Sequence, residues 1–163
     1  MKKKFIIQML LPALMLFTAS VLQAQKGKMP AFKFTQSNNK VIKAEDLPKN
    51  KPILLIYFSP ECDHCETVMK EFFKQPAKFA SASVAMVTFL PMPKLLDFEK
   101  KFPTKKYANV YSGSEGGTFF IKDYYKLDEI PFVALYDKNR NLVKSYLRNV
   151  PLDEISAKLK KLK

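Results

Sequence analysis

The sequence predicts a single α/β domain in which helices flank a central sheet. Two apolar runs, residues 53–58 and 84–90, have the length of strands and little polar alternation, which is typical of strands covered on both faces. Between these runs, apolar residues recur at helical spacing from Cys65 to Phe73. A buried strand, a helix and a second buried strand in this order are typical of an α/β domain. The 163 residues suffice for one domain and are too few for two.

Further segments extend this core at both ends. Residues 31–35 alternate apolar and polar side chains, and residues 41–42 follow a polar turn, so the pattern predicts an N-terminal β-hairpin. Residues 132–136 predict a late strand and residues 142–147 its hairpin partner. The remaining predictions are helices at 95–102, at 118–126 and from Pro151 onward, a brief strand at 109–111, and a loop at Gly113, Gly116 and Gly117.

The N-terminal segment has the features of an export signal. Lys2–Lys4 precede an apolar run over residues 5–17, and Leu22-Gln23-Ala24 provides a cleavage site. We therefore predict a signal peptide at 1–24 and a domain at 25–163, in the periplasm or another extracytoplasmic compartment. The alternative is an uncleaved signal that holds the protein to the membrane. Cleavage is favoured, because the run contains a glutamine and a proline and is shorter than the ~20 residues of a spanning helix.

The composition limits the classes of partner. The formal net charge is +13, which attracts nucleic acid, anionic lipid or acidic proteins. Export and the lack of a nucleic-acid-binding signature exclude nucleic acid. Many lysines alternate with acids, which is typical of a solvated face. We also expect the protein to be a monomer. The hydrophobic content of 47% supplies a packed core and excludes global disorder.

The chain has two cysteines, Cys62 and Cys65, separated by Asp63 and His64. A disulfide between them closes a loop so short that the chain-entropy model assigns it roughly 2 kcal/mol, against about 3 for a fifteen-residue loop. Such a bond stabilises little. The short spacing instead favours a reactive pair, because the second thiol must reach the first rapidly.

The predicted strand–helix junction assigns different roles to the two thiols. Cys62 at the helix N-terminus faces backbone N–H groups without intrahelical partners, which stabilise a thiolate. Cys65, one turn later on the apolar face, is expected to be shielded. Cys62 is therefore the predicted nucleophile and Cys65 the resolving thiol. His64 favours the Cys62 thiolate and Asp63 disfavours it, so both residues modulate the cysteine pair. The sequence does not decide which of the two effects on the thiolate is larger.

These motifs resemble the thioredoxin superfamily, specifically its exported thiol-disulfide proteins. The resemblance rests on residues 53–58 followed by Ser-Pro-Glu-Cys-Asp-His-Cys, and on Glu129-Ile130-Pro131 before the strand at 132–136. It implies a thioredoxin-like fold, with a central mixed sheet flanked by helices and the N-terminal β-hairpin as an extension. It also implies a cis bond before Pro131 and substrate binding by the Ile130 backbone. We expect no cofactor.

The sequence departs from the family pattern at several positions. A buried Asp that many thioredoxins use as a proton acceptor is Ile56 here, and Glu61 and Glu129 are the remaining candidates for that role. Glu61 also replaces the usual Trp before the first cysteine. A Gly common late in the final strand corresponds to a position near Arg148. These changes leave dithiol chemistry intact and put a general thioredoxin role in question.

The leading hypothesis is an exported oxidoreductase that reduces or exchanges disulfides in other exported proteins. Its partners are disulfide- or dithiol-containing exported proteins and a membrane or soluble redox protein. An oxidase that introduces disulfides is an alternative, suggested by His64. A metal-delivery module using Cys62, His64 and Cys65 is the alternative from another class, although structural zinc takes four ligands. Peroxide reduction is disfavoured because Leu55 occupies the position of that enzyme family's proline.

Overall fold

The computed structural model describes residues 27–162. The predicted signal peptide lies outside the described residues. The strands are β1 (Lys33–Thr35), β2 (Val41–Lys43), β3 (Ile53–Phe58), β4 (Ser83–Thr88), β5 (Val110–Ser114), β6 (Phe132–Tyr136) and β7 (Leu142–Leu147). The helices are α1 (Asp63–Lys74), α2 (Met92–Lys101), α3 (Phe120–Tyr125) and α4 (Leu152–Lys161), with short 3₁₀ turns at Ala44–Asp46, Pro76–Phe79 and Thr104–Lys106.

The seven strands form one mixed sheet in the order β2-β1-β5-β4-β3-β6-β7. Strands β3, β4 and β5 are parallel, and β6 pairs antiparallel with β3. The hairpin of β1 and β2 joins the edge of β5 through a single pair, Thr35 with Ser114. The predicted thioredoxin-like architecture with its N-terminal hairpin is therefore confirmed.

Strand β3 separates two cores because its successive side chains point to opposite faces. Leu54, Ile56 and Phe58 pack against α1, α2 and α4, and the buried α1 side chains are Cys65, Val68, Met69 and Phe72. Ile53, Leu55 and Tyr57 pack against the N-terminal hairpin and α3. All six residues of β3 are fully buried, as the unbroken apolar run predicts.

Most predicted boundaries differ from the structure by one to three residues: β1 begins and β4 ends elsewhere than predicted, and three further differences follow. Gly113 lies within β5, paired with Val87 of β4, rather than in the loop. A glycine is needed there because a Cβ would collide with the Phe34 ring and lie 2.8 Å from the Thr35 carbonyl oxygen. Helix α2 begins at Met92, since proline is tolerated in a first helical turn. Helix α3 is shorter than predicted, and the residues flanking it, Phe119 and Lys126, both have left-handed backbones.

Within residues 27–162, no helix combines the length and apolar character needed to cross a bilayer.

Candidate active site

The two cysteines lie at the junction between β3 and α1. The chain turns at Ser59, whose Oγ accepts the Glu61 N–H at 3.1 Å and whose carbonyl oxygen accepts the Cys62 N–H at 3.2 Å. Cys62 is the N-cap of α1, and its Sγ accepts the Cys65 N–H at 3.2 Å. The sulfur therefore occupies the position of a capping oxygen, where free helix N–H groups stabilise negative charge.

The two thiols differ in exposure. Cys62 is partly exposed, whereas Cys65 is 0% exposed and packs in the core beneath α1. Burial raises the pKa of the Cys65 thiol far above its usual range, and the Cys62 thiol beside it raises it further. Both cysteines are free thiols in this structure. An accessible sulfur thus sits in front of a shielded one, the order that the sequence predicts.

The strand register brings Ile130 and Pro131 to the same end of the sheet. Phe132 pairs with Tyr57, so Pro131 lies beside the last residue of β3. The Ile130–Pro131 peptide bond is cis. Ile130 and Cys62 pack against the same core, and the Arg148 N–H donates to the Pro131 carbonyl oxygen at 2.8 Å. Among residues 27–162, the backbone N–H and carbonyl groups of Ile130 have no backbone hydrogen-bond partner.

A groove of about 1040 Å³ runs along the length of α1. Asp63 and His64 line it on one side, and Glu129 and Arg148 line it on the other. On that second side, Nη1 of Arg148 donates a hydrogen bond to Oε1 of Glu129 at 2.7 Å. The predicted modulating residues thus share one groove with the segment that precedes Pro131.

A smaller cleft of about 220 Å³ lies on the opposite side of α1, and Cys65 lines it. Two ion pairs border this cleft: Lys94 with Glu61 and Lys101 with Glu66, both at 2.5 Å. Hydrogen bonds from Lys101 and then Lys70 lower the pKa of Glu66 to about 2. Glu66 is therefore an ionised carboxylate near Cys65 and a poor proton acceptor.

The sequence also matches the model of a known protein family. The model of the AhpC/TSA family matches residues 26–157. The chain belongs to the AhpC/TSA family. No match was found among functionally curated proteins.

Solved structures show which fold this AhpC/TSA member shares. A secreted disulfide oxidoreductase of Mycobacterium tuberculosis, homologous to E. coli DsbE, is 16% identical, with a TM-score of 0.65 over 81% of this chain and 96% of that one. The thioredoxin domain of a Bacteroides vulgatus thiol-disulfide oxidoreductase is 17% identical, with a TM-score of 0.66 over 83% and 96%. The exposed lipoprotein thioredoxin of Streptococcus pneumoniae is 20% identical, with a TM-score of 0.63 over 82% and 100%. The fold is thioredoxin-like.

The sequence departures have visible structural counterparts in this AhpC/TSA member. Ile56 is fully buried in the core that contains Cys65. This core therefore holds an isoleucine where many thioredoxins have a buried Asp. Glu61 and Glu129, the candidate proton acceptors, are exposed and ion-paired on opposite sides of α1. Arg148 has φ of 59°, a left-handed backbone that glycine adopts readily. A family glycine near this position is therefore compatible with the local geometry.

One buried polar pair near this end of the sheet was not predicted. Tyr57, in β3, donates its hydroxyl to Oε1 of Glu115 at 2.6 Å, and Oε2 accepts the Ile121 N–H at 3.3 Å. Glu115 is 6% exposed, and burial raises its pKa. The run at 53–58 identified Tyr57 only as a core residue, because its partner lies 58 positions later in the chain.

The metal-binding alternative finds little geometric support. His64 is exposed on the larger groove, whereas Cys65 is buried. In the part of the chain that the structure describes, no three His, Cys, Asp or Glu side chains are grouped closely enough to hold a metal ion.

Proposed function

We propose that this protein is an exported thiol-disulfide oxidoreductase that reduces or exchanges disulfides in other exported proteins. The observation that carries the proposal is the arrangement of the two thiols: Cys62 is accessible and caps a helix, and Cys65 is buried one turn behind it. This order suits a nucleophile followed by a resolving thiol.

The proposed reaction transfers two electrons to the substrate. The Cys62 thiolate attacks one sulfur of a substrate disulfide, forms a mixed disulfide and releases the other sulfur as a thiolate. Cys65 then loses its proton and attacks the Cys62 sulfur, which releases the second substrate thiol. The protein is left with a Cys62–Cys65 disulfide. A dithiol partner, soluble or membrane-bound, must reduce this bond before the next cycle.

The proposed substrate is an extended protein segment. Its backbone would pair with the free N–H and carbonyl groups of Ile130, as a strand added to a sheet edge does. Asp63 and His64 face the adjoining groove and would contact residues flanking the substrate cysteine. Burial raises the pKa of the Cys65 thiol and so favours its protonated form, which leaves the first attack to Cys62.

The direction of electron flow is proposed as reductive, with the oxidase as the alternative to be tested. A reduction potential near the thioredoxin value of about −270 mV supports the reductive role, and one near −120 mV supports the oxidase. Peroxide reduction is not favoured, because Leu55 is a buried residue in the middle of β3 and supplies no proline there.

The test is reduction of insulin by the full chain with dithiothreitol as electron donor. We expect activity in the native protein, loss of activity in Cys62→Ser, and accumulation of a mixed disulfide at Cys62 in Cys65→Ser. Cys62→Ser is the matched control for trapping, since it retains one thiol that is buried. Failure of Cys65→Ser to form any mixed disulfide would overturn the proposal.

A further inference from the structure

A second groove, of about 550 Å³, lies away from the cysteines. Its lining includes Met29, Phe32 and Ala44, and the last two are buried core residues that form an apolar floor. One carboxylate, Glu45, lines it, and Lys43 pairs with this carboxylate at 3.5 Å. We call this the basic groove, because its lining includes five cationic residues: Lys33, Lys43, Lys49, Lys138 and Arg140.

The basic groove lies at the end of the sheet opposite Cys62. Lys49 comes just before β3, whereas Cys62 comes just after it. Tyr136 pairs with Ile53, the first residue of β3, so the loop with Lys138 also lies at that end. A six-residue strand spans about 20 Å. A ligand in the basic groove would therefore leave the cysteines exposed.

Arg140 is the most confined cation of the basic groove. Its Nη2 donates to the carbonyl oxygens of Leu47 at 2.7 Å and Pro48 at 3.4 Å. Its Nη1 is buried and, among residues 27–162, has no hydrogen-bond partner. No carboxylate of the described residues lies within ion-pair distance of the guanidinium. Arg140 is half-buried and has no carboxylate partner, so an anionic ligand in the groove would compensate its charge.

Three other cations of the basic groove are also available. Among the described residues, neither Lys33, Lys49 nor Lys138 takes part in an ion pair. Lys28 lies beside the groove and donates to the carbonyl oxygen of Asn139 at 3.4 Å. Positive side chains around an apolar floor match a ligand that carries an anionic group on an apolar body.

We propose that the basic groove binds an anionic phospholipid at a membrane surface, with the phosphate against Arg140 and Lys138 and the adjoining apolar part on the Phe32 floor. A free phosphate ion would make no use of that floor. Bound in this way, the protein presents Cys62 away from the lipid, toward proteins in the same compartment.

The test is binding of dihexanoyl phosphatidylglycerol to the full chain, measured by isothermal titration below the lipid's micelle concentration. Dihexanoyl phosphatidylcholine and inorganic phosphate serve as the zwitterionic and the free-anion comparison. The groove variant is the triple substitution Lys33→Gln, Lys49→Gln and Lys138→Gln. The charge-matched control replaces exposed lysines that are not in the groove: Lys126→Gln, Lys160→Gln and Lys161→Gln.

We expect the phosphatidylglycerol affinity to fall at least about tenfold in the groove variant and to change less than about twofold in the control, because charge-assisted hydrogen bonds are lost only in the former. Insulin reduction should be unchanged in both. Equal losses in the two triple variants would overturn the proposal in favour of non-specific charge attraction. Equal affinity for phosphatidylcholine, or for inorganic phosphate, would overturn it in favour of an apolar contact or a free-anion site.

Discussion

We expect the buried hydrogen bond between Tyr57 and Glu115 to contribute measurably to the free energy of unfolding. Replacing Tyr57 by Phe removes the hydroxyl that donates at 2.6 Å to a carboxylate that is only 6% exposed. A hydrogen bond to a charged group contributes about 1.5–3 kcal/mol, so we expect Tyr57→Phe to lower the free energy of unfolding by about 2 kcal/mol at pH 8. For a domain of this size the melting temperature falls by about 6–10 °C.

The same pair has a defined pH dependence. Burial raises the pKa of Glu115 above its ordinary value of 4.5, so the folded state binds this proton more tightly than the unfolded state. Stability from this group is therefore fully present below pH 4.5 and is lost as the pH rises through the raised pKa. The Glu115→Gln variant lacks this titration. The stability of the native protein relative to Glu115→Gln should fall across that interval.

Urea unfolding at a series of pH values, with tyrosine fluorescence or circular dichroism as the signal, measures both effects. The double variant Tyr57→Phe/Glu115→Gln completes a mutant cycle and isolates the coupling between the two side chains. A Tyr57→Phe protein as stable as the native one at pH 8 would refute this reasoning. Parallel pH profiles for the native protein and Glu115→Gln would refute it as well.

Three further predictions concern packing and backbone geometry, and urea unfolding measures each. Gly113→Ala should destabilise by at least about 2 kcal/mol, because the new methyl group meets the Phe34 ring and a backbone carbonyl oxygen; a change below 0.5 kcal/mol would contradict the close approach of the hairpin. Arg148→Gly should be about 1–2 kcal/mol more stable than Arg148→Val, because φ is 59° there; equal stability would contradict the left-handed backbone. Leu159→Ala should cost about 2–5 kcal/mol because Leu159 is fully buried under the sheet, and a smaller cost would indicate that α4 is not docked as described.

Local patterns predicted the parts of the fold that carry the site. Strand β3 spans residues 53–58, as predicted, because a strand that is buried on both faces consists of consecutive apolar residues. The amphipathic spacing from Cys65 onward likewise identified α1 and its buried face. Since both elements and the break between them are local, the position of Cys62 at a helix N-terminus could be predicted without a structure.

Contacts between distant segments could not be predicted in this way. Gly113 lies in a strand where the Phe34 ring leaves no room for a Cβ, and nothing near Gly113 in the chain signals this ring. The ion pairs that border the Cys65 cleft join α2 to residues of the turn and of α1, and lysines occur throughout the sequence. The basic groove likewise collects cations from separate segments, including the β1–β2 hairpin and the loop after β6. A net charge alone does not locate them.

The most direct test of the central claim is a redox titration of the full chain against glutathione, with free thiols counted by alkylation and mass spectrometry. The reaction expected is oxidation of the Cys62 and Cys65 thiols by one glutathione disulfide, which yields an intramolecular disulfide and two glutathione thiols. We predict a single reversible transition in which both cysteines lose their thiols together. A protein that keeps both thiols under oxidising conditions, or that accumulates only a stable glutathione adduct on Cys62, would contradict the account.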